Sequence, residues 1–244
     1  MIIYVDEAES TNNLMARSAS KFEHGTALAA HTQTAGKGQR GNHWESEPWK
    51  NLTFSVILRP STIIASHQFE LLQLVALSVV KVLRSQLKSD EIYIKWPNDI
   101  YYRDSKICGI LIENVLQGNA IQQSIAGIGI NVNQEKFYSD APNPISMCTI
   151  ANRTFELDPL LETVVTQIVS DFDEYEASPN SIQLAAKYRF QLWRGEGYWP
   201  YHDNLDGVDF EARIAAVAPT GHITLAKSSG AFKTYAFKEV SAVL

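Results

Sequence analysis

Three segments hold residue types that could gather an anion. Thr34 to Gly41 reads Thr-Ala-Gly-Lys-Gly-Gln-Arg-Gly. Its glycines Gly36, Gly38 and Gly41 allow close backbone approach, and Lys37 and Arg40 put two cations within four residues around Gln39, as an anion-wrapping loop would need. An ordinary glycine-rich connection between strands has the same local pattern. Lys95-Trp96-Pro97-Asn98-Asp99 ends an apolar strand at a turn and sets an ammonium beside an indole, partly out of water. Such a lysine suits a carboxylate or a phosphate, although a snorkelling lysine beside a structural Trp-Pro turn looks alike. Lys106, Gly109 and Glu113 add a second cation and a carboxylate on the next strand, where they could equally be edge residues. Ala126 to Asn133 alternates glycines before Asn131 and Asn133, which suggests that another group packs directly on the backbone.

Several familiar chemistries are excluded. The loop contains a formal GxGxxG, but a dinucleotide fold needs that motif to open a helix whose amides hold pyrophosphate. Here the chain runs through Asn42-His43-Trp44 and past Pro48 into a strand. The Walker spacing is absent as well, because Lys37 lies between the first two glycines. The histidines His24, His31, His43, His67, His202 and His222 make no HxH or HExxH pair, and no GxSxG elbow occurs.

The elements that must position these residues alternate between strand and helix. Met1 to Val5 reads as a strand, and Ser10 or Thr11 as the cap of a helix carrying Leu14 and Met15. Thr26 to His31 and Leu52 to Leu58 are strands joined by the glycine loop. Ser66 would cap a long helix in which Phe69, Leu72, Val75, Val79, Val82 and Leu83 form one apolar stripe. Ile92 to Trp96, Ile107 to Val115 and Ile121 to Asn131 follow as strands, the last two joined by a turn at Gln117-Gly118-Asn119. Asp158-Pro159 starts a helix with its stripe at Leu160, Leu161, Val164, Val165, Ile168 and Phe172. Residues 179 to 193 form another, and the tail from Gly207 is short strands only, a small β-barrel appendage.

With 244 residues, 45% hydrophobic and 20% charged, the chain has the composition of a globular protein with one substantial domain and a small appendage. The net charge of -6 argues against a general nucleic-acid binder. Gly36 to Lys106 nonetheless holds 10 Lys/Arg against 7 Asp/Glu, while the rest holds 11 against 20, a local excess that suits a small anionic ligand. No apolar run reaches membrane-spanning length, no signal peptide opens the chain, and Cys108 and Cys148 form no disulfide framework, so a cytoplasmic setting is expected.

Taken in order, these segments resemble biotin protein ligases. The resemblance is carried by Asp6 to Asn12 ending in Ser10-Thr11-Asn12, by Gln33 to Gly41 with Trp44, and by Asn51-Leu52-Thr53-Phe54-Ser55. It continues through Lys95 to Ile100, Lys106 to Glu113 and Gly127 to Asn133, six segments in register over the first ~133 residues. It implies an α+β fold, a mixed β-sheet with helices packed on it, related to class II aminoacyl-tRNA synthetases. Residues 1–194 would be the catalytic domain and 195–244 an SH3-like β-barrel. The implied reaction joins biotin and ATP, with Mg2+, into biotinyl-5'-AMP, then passes the biotinyl group to a lysine of a biotin carboxyl carrier protein.

By the same resemblance Ser10, Thr11, Asn12 and Gln33 would hold the ureido head of biotin. Gly36, Lys37, Gly38, Gln39 and Arg40 would close over the ligands, and Trp44 would border the adenine. Lys95 would reach the carboxylate and α-phosphate, supported by Lys106 and Gly109, and Asn131 would contact the nucleotide. Lys95, Arg40 and Lys37 are the expected catalytic cations, whereas the metal ligands are not assigned. Lys37 and Gln39 stand where many relatives carry arginine, and Lys is not equivalent to Arg at phosphate. Met1 has no helix-turn-helix before it, so the repressor role of bifunctional members is expected to be absent. No DNA or membrane partner is expected, and a homodimer is left open. Two other readings share these residues: a lipoate-type ligase, which the polar Ser10-Thr11-Asn12 disfavours, and a non-catalytic biotin sensor, which would not need the full cation set.

Overall fold

The computed structural model describes residues 1–139 and 142–244, and of Arg40 the backbone alone. Its main sheet has seven strands in the order β1-β2-β3-β7-β6-β5-β4. β1 (Ile2–Ala8) and β2 (Ala27–Gln33) are parallel. All other neighbours are antiparallel: β3 (Leu52–Leu58), β4 (Ile92–Lys95), β5 (Asp99–Tyr102), β6 (Ser105–Gln117) and β7 (Ala120–Ile130). The sheet is therefore mixed, as the family resemblance implies.

Helices α2 (Phe69–Leu87), α4 (Leu157–Ala177) and α5 (Ser181–Phe190) lie on one side. Leu71, Val79 and Leu83 of α2 pack with Phe54, Ile110, Ile128, Val164 and Ile168 in one core. Burying each such side chain contributes roughly 1.5–3 kcal/mol, so this layer, not strand pairing alone, anchors the sheet. On the opposite side α1 (Thr11–Arg17) covers only a patch, Met15 against Leu28, Ile57 and Ile125. The rest of that face is left for a cleft.

A second sheet, wholly antiparallel, runs β11-β10-β9-β8-β12. It contains β8 (Trp199–Asp203), β9 (Val208–Val217), β10 (Ile223–Lys227), β11 (Phe232–Tyr235) and β12 (Val240–Ala242). It docks by Phe237 against Trp96 and Phe69, with ring centroids 5.4 and 6.0 Å apart, and by a 2.9 Å hydrogen bond from Trp96 Nε1 to the Gly221 carbonyl. No helix among the described residues is long and apolar enough to cross a membrane.

Some boundaries differ from the sequence pattern. α2 is capped by Gln68, not Ser66, because a short 3-10 turn at Ala65–His67 comes first. β5 starts at Asp99, inside the segment that reads as a turn, since pairing with β4 and β6 overrides the local signal. β8 carries Pro200, which argues against a strand in isolation, and the structure tolerates it at the second position of that strand. α3 (Met147–Ala151) and β12 are too short to leave a period.

Asp203 is fully buried in the second sheet and accepts hydrogen bonds from Lys233 Nζ (2.7 Å) and Tyr235 OH (2.8 Å), as well as from the backbone amides of Leu205 and Asp206. Burial pushes its carboxyl up, but these donors outweigh it and hold it well below the usual carboxylate range. A depressed folded-state pKa stabilises above the ordinary carboxylate range and is lost as pH falls through the folded value. Asp203→Asn should thus lower the melting midpoint at pH 7, with the gap to wild type closing on acidification; melting curves from pH 7 down to 2 measure this.

Candidate active site

The cleft is built on one row of residues across the main sheet. Thr53 of β3 is opposite Gly129 of β7, Gly129 is opposite Gly109 of β6, Gly109 is opposite Asp99 of β5, and Asp99 is opposite Lys95 of β4. One step along, Ser55 is opposite Gly127 and Gly127 opposite Leu111. Opposed residues project to the same face, so the middle of the row has no side chains and its end carries charge. The resulting cleft of about 950 Å³ is lined by Ser10, Thr11, Asn12, Gln33, Lys37, Gly38, Gln39, Trp44, Lys95, Lys106 and Gly109, among others.

At one end the groups are polar and uncharged. Ser55 Oγ lies 2.7 Å from Thr11 Oγ1 and 2.6 Å from Asn12 Oδ1, and Gln33 Oε1 accepts from the Thr11 amide at 2.8 Å. Asn12 Nδ2 donates to Glu113 Oε2 at 2.8 Å. Glu113 is thereby an anchor for Asn12 and not an idle edge residue. A Cβ on Gly127 would stand 2.3 Å from Asn12 Oδ1, so only glycine leaves room for that carboxamide.

In the middle the glycine loop folds back on itself. The Trp44 amide donates to the Gly36 carbonyl at 2.9 Å and the Gly38 amide to the Asn42 carbonyl at 2.7 Å, closing over a three-residue turn at Gln39–Gly41. No dinucleotide-type helix follows, in agreement with the exclusion drawn from sequence. The hairpin lays Trp44 on the bare shelf, where a Cβ at Gly129 would come within 2.3 Å of Trp44 Cε2 and one at Gly109 within 2.9 Å of Trp44 Cζ3.

The cationic end is shaped by a β-bulge. Ile100 is opposite Cys108, but Tyr101 is opposite Lys106, so one residue of β6 is extra. Ile107 and Cys108 both enter the core, and Lys106 turns to the cleft. Lys106 Nζ pairs with Asp99 Oδ1 at 2.8 Å. Burial pulls the Lys95 ammonium below the ordinary lysine range; Asp99 opposes this, while Lys106 and Arg194 add to it. Burial likewise raises the Cys108 thiol, so it presents no thiolate nucleophile near neutral pH.

The structure brings most of the sequence-predicted residues to this one cleft. Lys37 lines it but is exposed and donates to Asn13 Oδ1 at 2.6 Å. Asn131 and Gly36 lie one layer back. Asn131, 3% exposed, donates to the carbonyls of Lys106 and Ile145 and so braces β6 from behind. The role expected of the Arg40 side chain lies outside the described residues. Sequence reasoning missed Tyr101 and Trp193, and it missed the wall supplied by Ser241 of β12 and by Asn204 and Lys238 in the connections of the second sheet. Those last residues follow Asp99 by more than a hundred positions, and no motif ties them to it.

Gly129→Ala should displace the Trp44 indole and leave the fold intact. Near-ultraviolet circular dichroism should change while the far-ultraviolet spectrum stays as in wild type.

Comparisons with known proteins agree with this geometry. Residues 3–131 match the model of the biotin/lipoate A/B protein ligase family. The bifunctional ligase/repressor BirA of Bacillus subtilis is 35% identical over 137 residues, covering 55% of this chain and 41% of that protein. The biotin–[acetyl-CoA-carboxylase] ligase of Mycobacterium tuberculosis is 29% identical over 190 residues, covering 76% and 68%. The chain thus aligns with about two fifths of the BirA length and with more of the second relative. Among solved structures, the biotin protein ligase from Aquifex aeolicus in complex with biotin and ATP superposes with a TM-score of 0.79 at 23% identity, covering 98% of this chain and 97% of that one. The matched segment takes in more than half of the chain and every strand that floors the cleft, and the chain belongs to the biotin/lipoate A/B protein ligase family.

Proposed function

We propose that the chain is an ATP-dependent biotin protein ligase that forms biotinyl-5'-AMP with release of pyrophosphate and then biotinylates a lysine of a biotin carboxyl carrier protein. The observation that carries this reading is the polarity of the cleft. Neutral hydrogen-bonding groups at Ser10, Thr11, Asn12 and Gln33 occupy one end, a bare shelf under Trp44 the middle, and Lys95 with Lys106 the other. A ureido ring, an adenine and two anions match those three environments. The names of the relatives, several of them biotin ligases, support biotin over lipoate.

The chemistry asks for charge and position. Two unit negative charges at 4 Å repel by about 4 kcal/mol at an effective dielectric of ~20, a barrier that fixed cations offset. A carboxylate oxygen of biotin attacks the α-phosphorus, and the bond to the bridging oxygen breaks as pyrophosphate leaves. The amine of the carrier lysine then attacks the acyl carbon, AMP departs, and a proton is lost to solvent. No nucleophilic side chain is required of the protein. Lys95 and Lys106 hold the anions, Lys37, Gly38, Gln39 and Arg40 close over them, and Asn131 keeps β6 in place behind Lys106. Among the described residues no three His, Cys, Asp or Glu side chains gather into a metal cage, and Mg2+ enters with ATP as substrate. Residues 1–194 are the catalytic unit and 195–244 the SH3-like unit, a division supported by the change from α5 to the second sheet. A cytoplasmic setting is supported by two unpaired, buried cysteines.

The protein, incubated with Mg-ATP, biotin and a biotin carrier domain, should add one biotinyl group to the carrier by mass spectrometry, undiminished by excess lipoate. Lipoyl addition would identify a lipoate ligase, and ligand capture with no pyrophosphate would identify a sensor. Lys95→Ala should lower pyrophosphate release roughly 10²–10³-fold, the usual effect of removing one charge-stabilising donor, with its melting midpoint close to wild type.

A further inference from the structure

Lys95 stands in an unusual electrostatic setting for a cation that must capture anions. Its cross-strand neighbour Asp99 is taken by Lys106 at 2.8 Å, and no other carboxylate among the described residues pairs with Lys95. Lys106 on β6 and Arg194, which follows α5, both repel it. What does face its ammonium is a ring: Lys95 Nζ lies 4.9 Å from the ring centroid of Tyr101. That distance is inside the ~6 Å within which a cation is attracted by the aromatic quadrupole.

Tyr101 is built into the floor of the cleft. It is 0% exposed on β5, two residues from Asp99 and so on the same face. Trp193 packs on it with centroids 5.4 Å apart, and Trp193 Nε1 is in turn held by Asp104 Oδ1 at 3.1 Å. The Tyr101 hydroxyl is buried with no hydrogen-bond partner among the described residues. A buried unpaired hydroxyl is a cost to folding, so the ring, not the hydroxyl, is what this position supplies. A carboxylate in its place would neutralise the ammonium and compete with the incoming anion. An aromatic face attracts the cation and leaves its charge uncancelled.

We propose that Tyr101 is the positioning residue for Lys95, its ring face holding the ammonium in place and aimed into the cleft. The inference deepens the ligase reading and rests on it for its functional consequence, but its physical core concerns the unliganded protein. Burial, Lys106 and Arg194 all favour loss of the Lys95 proton, and Asp99 together with the Tyr101 ring opposes it.

The test follows the Lys95 Cε and Nζ resonances against pH in unliganded protein labelled at lysine, assigned with Lys95→Arg. Three side chains are compared at position 101: tyrosine, phenylalanine by Tyr101→Phe, and 3,4,5-trifluorophenylalanine, which keeps the shape of the ring and removes most of its negative face. Phenylalanine should leave the titration midpoint where tyrosine has it. The trifluoro ring should move it down by about one pH unit, from the ordinary strength of such contacts. Biotin-dependent pyrophosphate release should follow, about tenfold lower for the trifluoro ring than for phenylalanine at pH values above the midpoint. A midpoint identical for phenylalanine and its trifluoro analogue overturns the proposal, as does a loss of release in Tyr101→Phe, which would place the hydroxyl in the chemistry. A midpoint that moves as stated while wild type releases no pyrophosphate leaves this proposal standing and overturns the ligase reading.

Discussion

At the deepest part of the cleft the main sheet has no side chains, because Gly127 and Gly129 of β7 and Gly109 of β6 all face it. Trp44 and Asn12 occupy the space that Cβ atoms there would fill, with virtual contacts of 2.3 Å in both cases. Everything else in the site is arranged around that bare shelf. The glycine loop can fold down only as far as the indole can, and α1 can present Asn12 only where Gly127 yields. Glycine weakens a strand; here the cost is offset by the helical layer behind, where Phe54, Ile110 and Ile128 are locked against α2.

The charge at the edge of the shelf depends on register in the same way. Without the bulge between Ile100 and Tyr101, Lys106 would follow the pleat away from the cleft, and Asp99 would have no lysine to hold. The bulge sends two successive residues, Ile107 and Cys108, into the core and sets Lys106 beside Lys95. Close cations repel, and a half-buried pair of that kind needs compensation. Asp99 supplies part of it by ion pairing and Tyr101 supplies part by its ring face.

The second sheet completes the enclosure. The segment after α5 is stitched to β4, the Trp193 amide donating to the Ile94 carbonyl and the Ile94 amide to the Gln191 carbonyl, both at 2.8 Å. That seam fixes Trp193 next to Tyr101 and carries the chain to strands whose residues wall the cleft. Positioning of the cationic end is therefore shared by both sheets.

The chain of amino acids by itself determined the long elements and the chemistry of the loops. The apolar stripe of α2, the β6–β7 hairpin and the alternating glycines before Asn131 all rest on local periodicity or backbone freedom, which a single sequence displays. Lys95 and Lys106 stood out by residue type and spacing, whereas the Ser10–Asn12 cluster, which residue type alone marks only as a helix start, came through the family resemblance. Tertiary structure alone decided that Tyr101 underlies Lys95, that Glu113 holds Asn12, that Asn131 stands behind the cleft, and that β12 meets β8 at its rim. Those contacts join residues up to about a hundred positions apart, or turn on a one-residue bulge that reverses which face a side chain takes. Neither leaves a local signature, because both are set by pairing between strands and not by propensity within them.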